Sequence, residues 1–164
     1  MKTLSVYWLD TNVLIQASKG PYRFERVPQF WSFIAEQLEL GNLRAPKMVY
    51  DELTDGTDLL AQWCKRRRKG LSVAATKEVQ KCYGDIANHV CGNYSAAKAH
   101  EFLRGADGWV IAHAMDMGTS GIVVTQESTR HRQAKVKVPT VCTALSVKCI
   151  NTYDMLEVLD FRIS

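Results

Sequence analysis

Apolar residues recur along the chain with two different spacings, and these separate predicted strands from predicted helices. Short runs such as LSVYWL and GIVVT are mostly apolar and rich in β-branched or aromatic side chains, which is typical of buried strands. Longer segments such as VPQFWSFIAEQLELG carry apolar residues at helical spacing and end at a glycine. The predicted strands cover residues 4–9, 43–46, 121–125, 134–139 and 147–151. The predicted helices cover residues 27–41, 46–56, 59–70 and 106–118, and a largely helical region covers 71–104, broken only around Gly92-Asn93.

The alternation of strands and helices predicts an α/β fold. Such alternation implies right-handed crossovers and a mostly parallel sheet with helices on both faces. The 164 residues suit one domain, and we find no repeat or linker. We therefore predict a single domain over 1–164, with a helical insertion around 58–104.

The composition indicates a globular chain that stays in the cytoplasm. Hydrophobic residues make up 46% of the sequence, yet no apolar run reaches the roughly 18 residues that a membrane span needs. An aspartate interrupts the first apolar stretch too early for a signal peptide. The five cysteines include no C-x-x-C pair, which favours reduced thiols. His89 and Cys91 form an H-x-C pair, but no nearby residues complete a zinc site.

Positive charge is concentrated in two segments although the net charge is only +4. Residues 64–70 read CKRRRKG, and residues 128–137 read STRHRQAKVK. Such clusters either bind the phosphates of a nucleic acid or lie in solvent at helix ends. If they bind nucleic acid, Trp63 or Tyr94 could stack on bases, although large aromatic residues more often pack in the core. The candidate nucleic-acid-binding residues are Arg66, Arg67, Arg68, Arg130, Arg132 and Lys135.

Four carboxylates fall where a parallel sheet would bring them together. Asp10 directly follows the first predicted strand, Glu127 follows GIVVT, Glu52 lies in an early turn of a predicted helix and Asp107 begins another. Ligands of open α/β sheets bind outside the carboxyl ends of the strands. Each acid alone could cap a helix or lie on the surface. Four together would repel one another unless a cation such as Mg²⁺ or Mn²⁺ lay among them.

Several segments resemble the motifs of the PIN-domain family of metal-dependent ribonucleases, which includes the VapC-type toxins. The segments are YWLDTNVLI, MVYDEL, ADGWVIAHA and GIVVTQE, in the family's order and at about its separations. The DTNVLI stretch is the most specific, and the helix with Asp107 supports it. The residues after 138 also resemble the tail of one uncharacterised PIN subfamily.

The resemblance implies a PIN-like three-layer α/β/α sandwich with an acidic pocket that binds one or two divalent metals. It places catalytic and metal-binding roles on Asp10, Glu52, Asp107 and Glu127. The fourth position is usually aspartate, so the longer Glu127 either ligates directly or acts through water. Thr11, Asn12 and Thr125 are expected to orient these carboxylates. Asp51, Asp55 and Asp116 are lower-ranked substitutes.

The expected function is that of a hydrolase: a Mg²⁺- or Mn²⁺-dependent endonuclease, specifically a ribonuclease, from a toxin–antitoxin pair. The expected partners are RNA and a cognate antitoxin protein, the resemblance allows a homodimer, and no membrane is involved. His113 is expected to pack or to face solvent rather than to act as a base. Two alternatives stay open: a non-catalytic RNA-binding module of the same fold, or a DNA nuclease of related fold.

Overall fold

Four parallel strands form the centre of the fold. The structure is a computed structural model that describes residues 4–128 and 135–163. Within those residues the strands are β1 (Val6–Leu9), β2 (Leu43–Arg44), β3 (Gly121–Val124) and β4 (Lys148–Ile150). Their order in the sheet is β2-β1-β3-β4, and every neighbouring pair is parallel. The carboxyl ends of the two central strands, β1 and β3, therefore lie side by side.

Helices connect the strands and surround the sheet. They are α1 (Thr11–Lys19), α2 (Pro28–Leu40), α3 (Lys47–Leu53), α4 (Leu59–Lys65), α5 (Arg68–Leu71), α6 (Lys77–Asn93), α7 (Ala96–Leu103), α8 (Asp107–Asp116), α9 (Val138–Ala144) and α10 (Thr152–Val158). This architecture confirms the predicted α/β fold class, a three-layer α/β/α sandwich around a parallel sheet. Among the described residues, no helix combines the length and apolar character needed to cross a bilayer.

The central strands are buried because α8 packs closely against them. Leu9 in β1 and Val123 in β3 have no exposed surface. Gly121 begins β3 beside the end of α8, where a Cβ atom would lie 2.1 Å from the carbonyl oxygen of Ala114. Since real Cβ atoms do not approach an oxygen so closely, a glycine is required for this contact. The close approach fixes α8, which begins with Asp107, against the two central strands.

The predicted strand over 134–139 is wrong. Residue 134 lies outside the described residues, 135–137 pair with no strand in the described part of the chain, and α9 begins at Val138. The alternating pattern does reflect burial, since Val136 and Val138 are both buried. Pro139 suits the first turn of a helix, where a missing N–H costs little. Hydrophobic alternation over so short a segment therefore indicated which side chains are buried, but not that the segment pairs with a strand.

Two predicted helical segments have different boundaries. The helix predicted over 59–70 begins at its Asp58 cap but is divided into α4 and α5. In the region 71–104, residues 72–76 are not helical, and Val73 forms a parallel bridge with Pro46. The break lies at 94–95 rather than at Gly92-Asn93, because the Ser95 side chain caps α7. The description of 58–104 as an insertion stays a prediction.

Candidate functional site

The carboxyl ends of β1 and β3 form the floor of an acidic site. Asp10 directly follows β1, and its backbone N–H donates to the carbonyl oxygen of Val124 at 2.9 Å. Asp107 lies at the start of α8. The charges of Asp10, Glu127 and Glu52 all raise the pKa of Asp107, in that order of size, after the larger effect of burial. The structure thus brings all four predicted acids close enough to interact electrostatically.

Asp10 is held rigidly and is only 2% exposed. One carboxylate oxygen, Oδ1, accepts from the backbone N–H of Thr11 at 2.8 Å, so Asp10 is the N-cap of α1. The other oxygen, Oδ2, accepts from the Thr125 hydroxyl at 2.9 Å. The same hydroxyl accepts from the N–H of Glu127 at 3.1 Å. Capping and participation in the acid cluster are therefore compatible roles for Asp10.

Asp10 and Asp107 form a coupled pair of carboxyl groups. Burial raises the pKa of Asp10 to about 6 and that of Asp107 to about 8. The two side chains lie close enough for the charge of Asp10 to raise the pKa of Asp107 further. Because two close carboxylates cannot both ionise cheaply in a buried site, the pair retains a proton near neutral pH in the absence of a cation.

Glu52 links three helices although the residue as a whole is exposed. Its Oε2 accepts from the Thr11 hydroxyl at 2.7 Å, and its Oε1 accepts from the backbone N–H of Ala106 at 2.9 Å. Ala106 is the N-cap residue of α8 and has no capping side chain of its own. Glu52 therefore satisfies a donor at the start of α8 and holds that end of the helix beside α1 and α3.

Glu127 is directed toward α9. Its side chain is 9% exposed, and Oε2 accepts from the backbone N–H of Val138 at 2.8 Å. Its Oε1 lies 3.7 Å from the ammonium nitrogen of Lys135, which is itself 47% exposed. Val138 is the first residue of α9, so Glu127 satisfies one of the unpaired donors at that helix start. This contact gives the longer side chain at the fourth position an anchoring role.

Asn12 completes the set of residues that hold the site together. Its side-chain oxygen accepts from the backbone N–H of Gln126 at 3.1 Å and so fastens the segment after β3 to α1. Thr11, Asn12 and Thr125, which the sequence singled out as orienting residues, all bind a predicted acid or its neighbouring backbone. The backbone donors of Ala106 and Val138 were missed. No local sequence signal could have found them, because they lie 54 and 11 residues from their glutamates.

The comparisons with known proteins give one result. A family described as a domain of unknown function, DUF4411, matches residues 7–163. The chain belongs to the DUF4411 family. The match includes all four acids and both basic segments. Neither the curated proteins nor the solved structures contain a match to this chain, so the likeness to PIN-domain ribonucleases stays a prediction.

The donor chemistry of this DUF4411 site suits a hard divalent cation. Within residues 4–128 and 135–163, no three Asp, Glu, His or Cys side chains are arranged to hold a metal ion. Asp10, which is buried, and Asp107, which is partly buried, are nonetheless neighbouring carboxyl groups whose repulsion a cation would relieve. Mg²⁺ commonly uses one or two carboxylates and completes its coordination with water and substrate phosphate. The pair therefore fits such an ion; Glu52 and Glu127 already accept hydrogen bonds at helix starts, and a direct ligand role for them stays a prediction.

The arginine-rich segment has mixed surroundings. Trp63 is 5% exposed and packs edge-to-face on Trp31, so it is not available to stack on a base as the sequence allowed. Arg67 lies 4.2 Å above the Trp63 ring and donates to the Trp63 carbonyl oxygen at 3.0 Å. Arg66 and Arg68 are exposed. This segment thus combines one arginine that packs on the core with two that face solvent.

The other residues that were predicted to contact nucleic acid lie in different surroundings. Lys135 is directed to Glu127. Arg130 and Arg132 lie outside the described residues. Tyr94 is partly buried and packs against the core.

His113 is 4% exposed and stacks on Trp8 at 4.5 Å, and burial lowers its pKa to about 4. It therefore packs as a neutral ring, which is one of the two surroundings that the sequence allowed.

Proposed function

We propose that this DUF4411 chain is a divalent-metal-dependent endoribonuclease that hydrolyses RNA phosphodiester bonds. The observation that carries the proposal is the Asp10–Asp107 pair, two neighbouring carboxyl groups at the carboxyl edge of a parallel sheet, of which Asp10 is buried and Asp107 partly buried. Strongly perturbed carboxyl groups at such an edge are typical of functional sites. The resemblance of DTNVLI and ADGWVIAHA to PIN-domain motifs supports the same reading.

Asp10 and Asp107 are the residues that would hold Mg²⁺ or Mn²⁺. When bound, the ion would lower the pKa of a water ligand and neutralise charge on the phosphate. Glu52 and Glu127 already accept hydrogen bonds from Thr11, Ala106 and Val138, so we assign them positioning roles. Their negative charges still favour a cation at the pair.

The chain's own residues prepare the site in three ways. The backbone N–H of Thr11 and the hydroxyl of Thr125 fix the orientation of the Asp10 carboxylate. Glu52 fixes the start of α8 and thereby the position of Asp107. The proton that the pair retains is released when both carboxylates are needed as ligands, so metal affinity rises with pH.

The test is RNA cleavage with Mn²⁺ by the parent protein and by Asp10→Asn and Asp107→Asn. We expect each variant to lose at least about 100-fold in activity, comparable to removing a main electrostatic contribution to catalysis. Asp116→Asn is the matched control, because it removes the same charge from the exposed far end of α8. Equal cleavage by all four proteins would show the assignment to be wrong. Single-stranded DNA assayed in parallel tests the DNA-nuclease alternative.

A second candidate is an RNA-binding module of the same fold without catalytic activity. It is favoured by the engagement of Glu52 and Glu127 with helix starts, and by the absence of a three-ligand group in the described parts of the chain. Calorimetric titration with Mn²⁺ separates the two. Metal binding that Asp107→Asn abolishes supports the nuclease, whereas RNA binding without any metal binding supports the module.

The resemblance also leads us to propose a toxin that acts in the cytoplasm and is neutralised by an antitoxin. Induced expression in a bacterial host should arrest growth with the parent protein and not with Asp107→Asn. Growth that continues equally with both proteins would remove the toxin role. Sedimentation of the purified chain tests the homodimer.

A further inference from the structure

A second charged site lies beside the edge strand β2, at a cleft of about 400 Å³. The cleft lies between the second half of α2 and the segment around α5, and Arg44 of β2 contributes to its wall. Its lining contains four cationic side chains and one carboxylate, Glu39. We call it the basic cleft. The cations are Arg44, Arg66, Arg67 and Lys69.

The cations of the basic cleft form no ion pair within the described part of the chain. In residues 4–128 and 135–163, the ion pairs join Lys47 to Asp51, Lys135 to Glu127 and Arg162 to Asp160, and none includes a cleft cation. Surface cations normally spread apart or pair with acids, because like charges at close range repel. A concave surface with four cations that form no ion pair is therefore arranged for an anion that comes from outside, although Arg67 also packs on Trp63.

The basic cleft is separate from the acidic site. None of the four acids lines it. Helix α3 contacts residues near both sites: Glu52 reaches the acidic site, whereas the ring of Tyr50 lies 5.9 Å from the guanidinium of Arg68, which lies between the cleft cations Arg67 and Lys69 in the chain. Residues two apart on a helix point about 200° from each other, so these side chains lie on opposite sides of α3.

We propose that the basic cleft binds backbone phosphates of RNA at a distance from the acidic site. This inference rests on RNA being the substrate under the proposed function. Guanidinium groups match phosphate oxygens in a bidentate way, and three of the four cations are arginines. Apart from Glu39, the remaining lining is small or aliphatic and offers no aromatic face to a base, so binding is independent of sequence. A protein partner would instead need a buried apolar anchor.

The experiment measures RNA binding without cleavage. Proteins carry Asp107→Asn, the buffer contains EDTA, and the probe is a labelled uridine oligonucleotide of about 20 nucleotides, longer than a typical single-strand site of roughly 4–16. The test variant is Arg66→Gln/Lys69→Gln, and the control is Lys77→Gln/Lys81→Gln, which removes the same charge from exposed positions on α6. All four substituted side chains are exposed, and thermal melts check folding. Arg67 is left intact because it packs on Trp63.

We expect the test variant to bind about 10-fold more weakly near 0.1 M salt, and the control to change by less than about 2-fold. The slope of log affinity against log salt should fall by about 1.4 for the test variant, or about 0.7 for each lost phosphate contact. Equal effects of the two variants, or no effect of either, would overturn the proposal. So would unchanged RNA binding combined with lost binding of an oligoglutamate peptide, which would assign the cleft to an acidic protein. Failure of the parent protein to cleave RNA with Mn²⁺ would remove the nuclease activity but leave the binding result intact.

Discussion

Replacing Asp107 with asparagine should stabilise the metal-free protein and remove a specific dependence of stability on pH. The Asp107 carboxyl has a pKa of about 8 in the folded protein, against an ordinary value of 3.8. The folded state therefore holds one more proton than the unfolded state between pH 4 and 8. This stabilisation is complete at low pH and is lost as the pH rises toward 8.

The magnitude follows from the number of protons. One extra proton in the folded state changes the free energy of unfolding by about 1.4 kcal/mol per pH unit, and by somewhat less as the pH approaches the pKa of Asp107. Below pH 6.5, two other groups contribute with opposite signs. Asp10 has a raised pKa of about 6, and His113 has a lowered pKa of about 4. The window from pH 6.5 to 7.5 therefore reports mainly on Asp107, and stability should fall by about 1 kcal/mol across it.

The assay is urea unfolding at several pH values in EDTA, with the parent protein and Asp107→Asn compared at each pH. The variant should be more stable by about 2–5 kcal/mol at pH 7.5, and the difference should shrink as the pH falls. For a chain of this size that corresponds to a rise in Tm of about 5–15 °C. Parallel curves for the two proteins, or a less stable variant at pH 7.5, would refute the picture of a proton retained by two neighbouring carboxyl groups.

Three further substitutions test the framework around the site, each by urea unfolding. Gly121→Ala places a Cβ on the Ala114 carbonyl oxygen and should cost more than about 3 kcal/mol, so near-parental stability would contradict the close packing of α8 on β3. Glu52→Ala removes the acceptor for the N–H of Ala106 and should cost about 1–2 kcal/mol, whereas Glu52→Gln should recover part of the loss. Thr125→Val leaves the buried carboxylate of Asp10 short of one donor and should cost about 1–3 kcal/mol, with Thr125→Ser as the control that keeps the hydroxyl.

Local sequence patterns predicted most of the fold. The apolar runs at 4–9 and 121–125 became the buried central strands, and Gly41 ends α2 with a positive φ of 79°, as a helix stop should. Errors arose where hydrophobic alternation correctly indicated buried side chains but gave no information about a neighbouring strand. The segment before Pro139 alternates and buries two valines, yet its described residues pair with no strand in the described part of the chain. Strand pairing requires a free sheet edge, which is not a property of the segment itself.

The sequence by itself determined that Asp10 would end a strand and that Asp107 would begin a helix, since short-range hydrophobic spacing defines both element boundaries. Because β1 and β3 pair in parallel, their carboxyl ends align at one edge of the sheet. The proximity of Asp10 and Asp107 at that edge could therefore be predicted. Only the tertiary structure decided that Glu52 binds the start of α8, that Glu127 turns to α9, and that Arg44 joins the cations around α5. Those outcomes depend on contacts between residues far apart in the chain. Local spacing carries no information about which backbone donor or which neighbouring charge will lie within reach of a long side chain.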